Sequence, residues 1–95
     1  MKIYKGDVGT IIKLDTGNDL NSATTTKIKW KDPDGQTGEW IADIETPAAD
    51  GYISYKITNG DLNKKGTWKV QSYVEFDTDH WLGETISLKV FEEFE

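Results

Sequence analysis

In Thr26-Lys27-Ile28-Lys29-Trp30-Lys31 every second residue is a lysine, and Thr26, Ile28 and Trp30 lie between them. Strand side chains point alternately to opposite faces, so this run predicts a strand with one face buried and one in water. The alternation returns along the chain. Ile53, Tyr55 and Ile57 alternate with Ser54 and Lys56, and Ile86, Leu88 and Val90 alternate with Ser87 and Lys89. Trp68, Val70, Ser72, Val74 and Phe76 alternate with Lys69, Gln71, Tyr73 and Glu75. Val8, Thr10, Ile12 and Leu14 share a face in one further run, and Trp40, Ala42 and Ile44 in another. No long amphipathic helix competes with this pattern.

Turn signals separate the runs at the roughly 8 to 12 residue spacing of a sandwich or barrel. Strands are predicted at about 2–5, 8–15, 24–31, 38–44, 52–57, 67–76 and 84–91. Thr16-Gly17-Asn18-Asp19 ends the second run, and Leu20 beyond it is expected to plug one end of the core. Asp32-Pro33-Asp34-Gly35 reads as a type I turn, because Pro33 presets φ and Gly35 accepts a left-handed conformation. It should join the third and fourth strands in a hairpin. Asn59 to Gly66 holds the only helical hint, with Asp61 placed to cap one turn and Gly66 to close it. The expected fold is an all-β, antiparallel, seven-stranded sandwich, a single domain over 1–95 with a short acidic tail at about 92–95.

Composition narrows the chemistry. Eleven lysines and no arginine stand against seventeen Asp and Glu, a net charge of −6 that disfavours a nucleic-acid partner. The absence of cysteine excludes disulfides, thiol catalysis and thiolate metal sites. A single histidine, His80, excludes zinc sites built on several histidines. No apolar run has the roughly 18 to 20 residues of a helical membrane span. Met1 is followed by a strand-like segment, with no signal peptide in view, so the chain reads as small and complete.

Two features are similar to an immunoglobulin-like sandwich. Trp30 lies on the third segment, where such domains place a core tryptophan. Leu62-Asn63-Lys64-Lys65-Gly66-Thr67-Trp68-Lys69-Val70 resembles the turn entering strand F, in which an aromatic follows the glycine by two residues and a core residue by four. Val70 stands where an antibody domain has cysteine, so the core must hold by packing alone. Asp19-Leu20-Asn21-Ser22-Ala23-Thr24, Lys31-Asp32-Pro33-Asp34-Gly35 and Gly66-Thr67-Trp68-Lys69-Val70-Gln71-Ser72-Tyr73 carry a narrower resemblance. They are similar to immunoglobulin-like modules of tailed-phage virion proteins, such as the N-terminal domain of baseplate upper proteins. That resemblance implies structural or adhesive work, in a virion assembled in the host cytoplasm.

Catalytic constellations are sparse. A nucleophilic serine or threonine needs a base, and only His80 is present, in the turn Asp77-Thr78-Asp79-His80-Trp81. The segment 77–84 groups Asp77, Asp79 and Glu84 and is the first candidate for calcium, but no run fits the twelve-residue calcium loop. Asp and Asn are ordinary turn residues, so no metal and no cofactor are expected. No enzymatic activity is expected either.

The aromatic and apolar groups outside the predicted core have two readings, a loop and tail that fold back to cap the sandwich or a contact surface for a partner. His80, Trp81 and Leu82 are bulky groups expected at the tip of the final hairpin. Phe91 points opposite to Val90, and Phe94 lies past the strand end. Trp40 is ambiguous, because Ile41 on the other face is also apolar. The expected function is that of a non-enzymatic virion component, a head decoration, tail or baseplate module. It would dock through these residues onto a larger virion protein or copies of itself. The alternative is a carbohydrate-binding or adhesive module using Trp81 and Trp40 as platforms for a cell-surface glycan.

Overall fold

The computed structural model describes residues 2–95; Met1, the first residue of the expected 1–95 domain, lies outside them. The chain is all-β, with two sheets in a sandwich-like arrangement. The larger sheet runs β1 (Ile3–Tyr4), β8 (His80–Phe91), β7 (Gly66–Glu75), β3 (Thr25–Lys31), β4 (Thr37–Ile41). The smaller runs β2 (Ile11–Asp15), β6 (Tyr52–Lys56), β5 (Asp43–Ile44). Every pairing is antiparallel except β1 with β8, which is parallel and covers only Ile3↔Val90 and Tyr4↔Phe91.

The predicted alternation decides which faces meet. Ile12 and Leu14 of β2, Ile28 of β3, Trp40 of β4, Ile53 of β6, and Trp68, Val70 and Val74 of β7 are all buried in one cluster. Leu20 joins them from the β2–β3 loop, as expected of an end plug. The middle of the core is aromatic. Trp30 lies 5.4 Å from Trp68 and 6.0 Å from Trp40 between ring centroids, and Trp40 stacks on Tyr55 at 4.9 Å. Such pairs contribute about 0.5–1.5 kcal/mol each beyond the area they bury. Without disulfides, this cluster and the ladders hold the sheets together. Gly38 faces Trp30 across the β3–β4 ladder, and a Cβ there would collide with the indole.

The β3–β4 hairpin forms through the turn foreseen at Asp32–Gly35. Gly35 N–H donates to the Asp32 carbonyl at 3.0 Å, and Gly35 takes φ +90°. The Asp32 carboxylate accepts from the N–H groups of Asp34 and Gln36.

Several expectations are corrected. The fourth segment is two strands rather than one, which makes eight among the described residues. At Ala42 the chain crosses from the larger sheet to the smaller. Ala42 is tied there to Thr26, its N–H donating to the Thr26 carbonyl while its carbonyl accepts the Thr26 hydroxyl. The second strand begins at Ile11, not near 8, because Gly9 turns the chain with φ +96° and leaves Val8 exposed. Residues 60–66 form no helical turn. Asp61 instead reaches back, accepting from the Thr58 N–H and hydroxyl and from the Tyr55 hydroxyl. The helical turn that does occur is a 3₁₀ turn at Ala48–Asp50. The last strand starts at His80, not 84, because the β7–β8 turn closes early, with Phe76 N–H donating to the Asp79 carbonyl at 2.7 Å.

Candidate interaction surface

The early start of β8 changes what His80, Trp81 and Leu82 are. They are strand residues rather than a loop tip, paired with Glu75, Val74 and Tyr73. Directly opposed residues share a face. Trp81 therefore points to the core side beside buried Val74, while His80 and Leu82 point to the outer side. Leu82, on the outer side, is 55% exposed, and Trp81 is equally exposed because the smaller sheet does not reach over this part of β8. Ile86, paired with buried Val70, was expected inside and is 45% exposed for the same reason as Trp81. His80 is exposed, its ring 6.0 Å from that of Tyr73.

Between Gln71 and Tyr73 the β7–β8 register shifts. Gln71 pairs with Thr85 and Tyr73 with Leu82, so β8 carries an extra residue at Gly83-Glu84, a β-bulge. The Gln71 amide donates to the Gly83 carbonyl at 2.8 Å and pins the bulge. Beside it lies a depression lined by Leu14, Asp15, Thr16 and Gly17 from the smaller sheet's side and by Leu82, Gly83, Glu84 and Ile86 from β8. It opens on the flank between the two sheets, and Asp15 and Glu84 are its charged lining residues.

The second expected patch is elsewhere. Trp81 and Phe91 are ten residues apart on one strand, a separation of about 33 Å. Phe91 is half-buried against Tyr4 at 6.1 Å, with the ammonium groups of Lys2 and Lys89 over its ring. The tail turns back on itself, Glu95 N–H donating to the Glu92 carbonyl and the Tyr4 hydroxyl donating to the Glu95 carbonyl. That turn sets Phe94 at φ +73° and leaves its ring almost wholly in water. Trp40 is corrected outright. It is buried between Trp30 and Tyr55 and offers no face to a ligand, whereas Ile41 beside it is 79% exposed.

The lysine face of the larger sheet is neutralised locally. Lys27 lies 2.8 Å from Glu39 and Lys29 lies 3.8 Å from it, and both ammonium groups approach the Tyr73 ring. The hydrogen bond and charge of Lys27 hold the Glu39 carboxyl below its ordinary value, and Glu39 raises Lys27 in return.

Two further carboxylates are structural locks. Asp32 bonds Lys64 at 2.9 Å and fastens the β3–β4 turn to the segment leading into β7. Lys64 and the backbone N–H donors hold the Asp32 carboxyl below its ordinary value against the opposing effect of burial. For Asp61, partial burial pulls upward, but the hydrogen bonds from Thr58 and Tyr55 outweigh it and the carboxyl lies low. Among the described residues no group of three His, Asp or Glu side chains converges to hold a metal ion, the 77–84 segment included.

In comparisons with known proteins, no family model and no curated protein matches the chain.

Proposed function

We propose that the chain is a non-enzymatic, immunoglobulin-like interaction module of a tailed-phage virion, serving as a head decoration or as part of the tail or baseplate. The strand order supports the immunoglobulin-like reading. β8, β7, β3 and β4 succeed one another as strands G, F, C and C′ do, and β2, β6 and β5 as B, E and D do. Trp30 on β3 and the Gly66-Thr67-Trp68-Lys69-Val70 entry to β7 are in keeping with that reading. The virion reading rests on the resemblance of the turn segments to phage modules.

The observation that carries an interaction role is the half-exposed apolar side chains of β8, Trp81 and Ile86 on its core side and Leu82 on its outer side. Aromatic and aliphatic groups of this kind anchor interfaces when a partner's pocket fills around them. The adhesive alternative loses Trp40 to the core and is left with Trp81 as its platform.

Mass spectrometry of purified particles from a phage encoding this chain tests the reading. Stoichiometric recovery in the particle is the expected result, and absence from it overturns the virion assignment. Binding to a glycan array that is lost in Trp81→Ala would favour the adhesive role instead.

A further inference from the structure

β8 is twelve residues long and is the second strand from one edge of its sheet, yet most of it behaves as an edge. On one side it pairs with β7 along almost its whole length. On the other, β1 covers only Val90 and Phe91. From His80 to Lys89 no described strand lies on that side, so alternate N–H and C=O groups point to water over about 30 Å. Sheet edges of this length are normally blunted, because they template a further strand. Here the bulge at Gly83-Glu84 interrupts the edge, but apolar side chains at Trp81, Leu82 and Ile86 flank it on both sides.

We propose that the free edge of β8 receives an extended segment of a partner protein as an added strand, and that this segment alternates apolar with basic residues. This deepens the interaction role proposed above and rests on it. The backbone groups of 80–89 supply the ladder, and Trp81 and Ile86, which share the core side of β8, supply contact for the apolar face of the incoming strand. The charge of the site selects the rest. The flank depression beside the edge has Asp15 and Glu84 as its charged lining residues, and Asp77 and Asp79 stand exposed at the start of β8. The whole chain carries −6. A second copy would bring its own carboxylates to this rim, whereas a lysine- or arginine-bearing strand neutralises it. The incoming segment would lie over the depression and cover Trp81 and Ile86.

The test uses the full chain and three synthetic peptides. The first is a capped octapeptide of alternating Lys and Val, the second alternates Glu and Val, and the third is the Lys-Val peptide N-methylated at alternate residues along its ladder-forming edge. Amide hydrogen exchange by NMR is the readout. The Lys-Val peptide is expected to slow exchange of alternate amides between His80 and Lys89 by at least about tenfold at saturation. The Glu-Val and N-methylated peptides are expected to leave those amides unchanged. Glu84→Lys, at an exposed position, should weaken the Lys-Val peptide severalfold without lowering the melting temperature.

Protection by the Glu-Val peptide as well would overturn the charge argument. Equal binding of the N-methylated peptide would overturn strand addition, since it keeps the side chains and loses the donors. No protection at 80–89, or protection of those amides in the free protein that rises with its own concentration, would overturn the proposed occupant, the latter in favour of a second copy. Peptide binding by a chain that is missing from particles would sink the virion assignment and leave the strand-addition site standing.

Discussion

Gly83 of β8 lies so close to Ser72 of β7 that a Cβ on Gly83 would collide with the Ser72 hydroxyl oxygen. Ser72 is 2% exposed, so it has little space to yield. The contact sits at the register shift, where the extra residue of β8 is accommodated. Gly83→Ala should therefore cost about 1–3 kcal/mol by overpacking. Most of that cost should vanish in a Ser72→Ala background, because the Ser72 Cβ lies at an ordinary 3.5 Å. A double-mutant cycle in urea measures the coupling. Strict additivity would mean that the bulge does not depend on this contact.

The tryptophans of the core are not equivalent. Trp68 is 1% exposed, and its indole N–H donates to the Lys64 carbonyl at 2.9 Å. The Trp30 indole N–H is buried with no partner. Trp68→Ala should cost about 3–5 kcal/mol as a fully buried aromatic. Trp68→Phe should strand the Lys64 carbonyl, while Trp30→Phe removes an unpaired donor. The Trp30 change should then be the cheaper of the two by about 1 kcal/mol or more. Chemical denaturation of the two variants decides it, and the reverse order would sink the distinction.

Stability should fall at both ends of the pH scale, for different groups. Asp32 and Asp61 have folded-state values below the ordinary one, so the unfolded chain binds their protons more tightly. Their contribution is complete above the ordinary value near about pH 4 and is lost as pH falls through the depressed folded values. The Lys64 ammonium, hydrogen-bonded to Asp32 and Asp34, is shifted upward. So is the Tyr55 phenol, by burial and by Asp61. Their contribution is complete below about pH 10 and is lost as pH rises through the raised values. Melting temperature against pH should thus show a plateau with a limb on each side. Asp32→Asn should flatten the acid limb, and an unchanged acid slope would remove Asp32 from it.

Much of this architecture was legible because period-two alternation is a local property. The buried faces of β2, β3, β6 and β7 and the Asp32–Gly35 turn follow from neighbours a few residues apart. What alternation does not carry is how far a facing element extends. Ile86 has the same place in the pattern as Leu88 and Val90, yet the smaller sheet stops short of it. The pattern also runs unbroken through Trp40, Ala42 and Ile44 while the chain changes sheet, because both sheets face the same core. His80, Trp81 and Leu82 resemble a loop after Asp77-Thr78-Asp79, and only the Phe76–Asp79 hydrogen bond shows the turn ending sooner. The free edge of β8 depends on the brevity of β1, a long-range fact with no local signature.

Attachment and stability should separate cleanly at Trp81 and Phe94 but not at Phe91. Trp81 is half in water and Phe94 almost wholly so, and neither side chain belongs to the buried cluster. Trp81→Ala and Phe94→Ala should each shift stability by about 0.5 kcal/mol or less, as surface substitutions do. A truncation after Val90 is different. It deletes Phe91, which pairs with Tyr4 in the β1–β8 ladder and whose carbonyl accepts the Lys5 N–H at 2.8 Å. It also removes Glu92, the ion-pair partner of Lys5. That truncation should lower the melting temperature and loosen β1, whereas Phe94→Ala interrogates the same end without this damage. If the chain docks through the β8 flank, Trp81→Ala abolishes incorporation into particles at unchanged melting temperature while Phe94→Ala is incorporated normally. The opposite pattern would place the docking contact at the C-terminal turn, about 33 Å along the strand. Normal incorporation of both variants would exclude the two patches together and leave the lysine-bearing outer face as the surface to test.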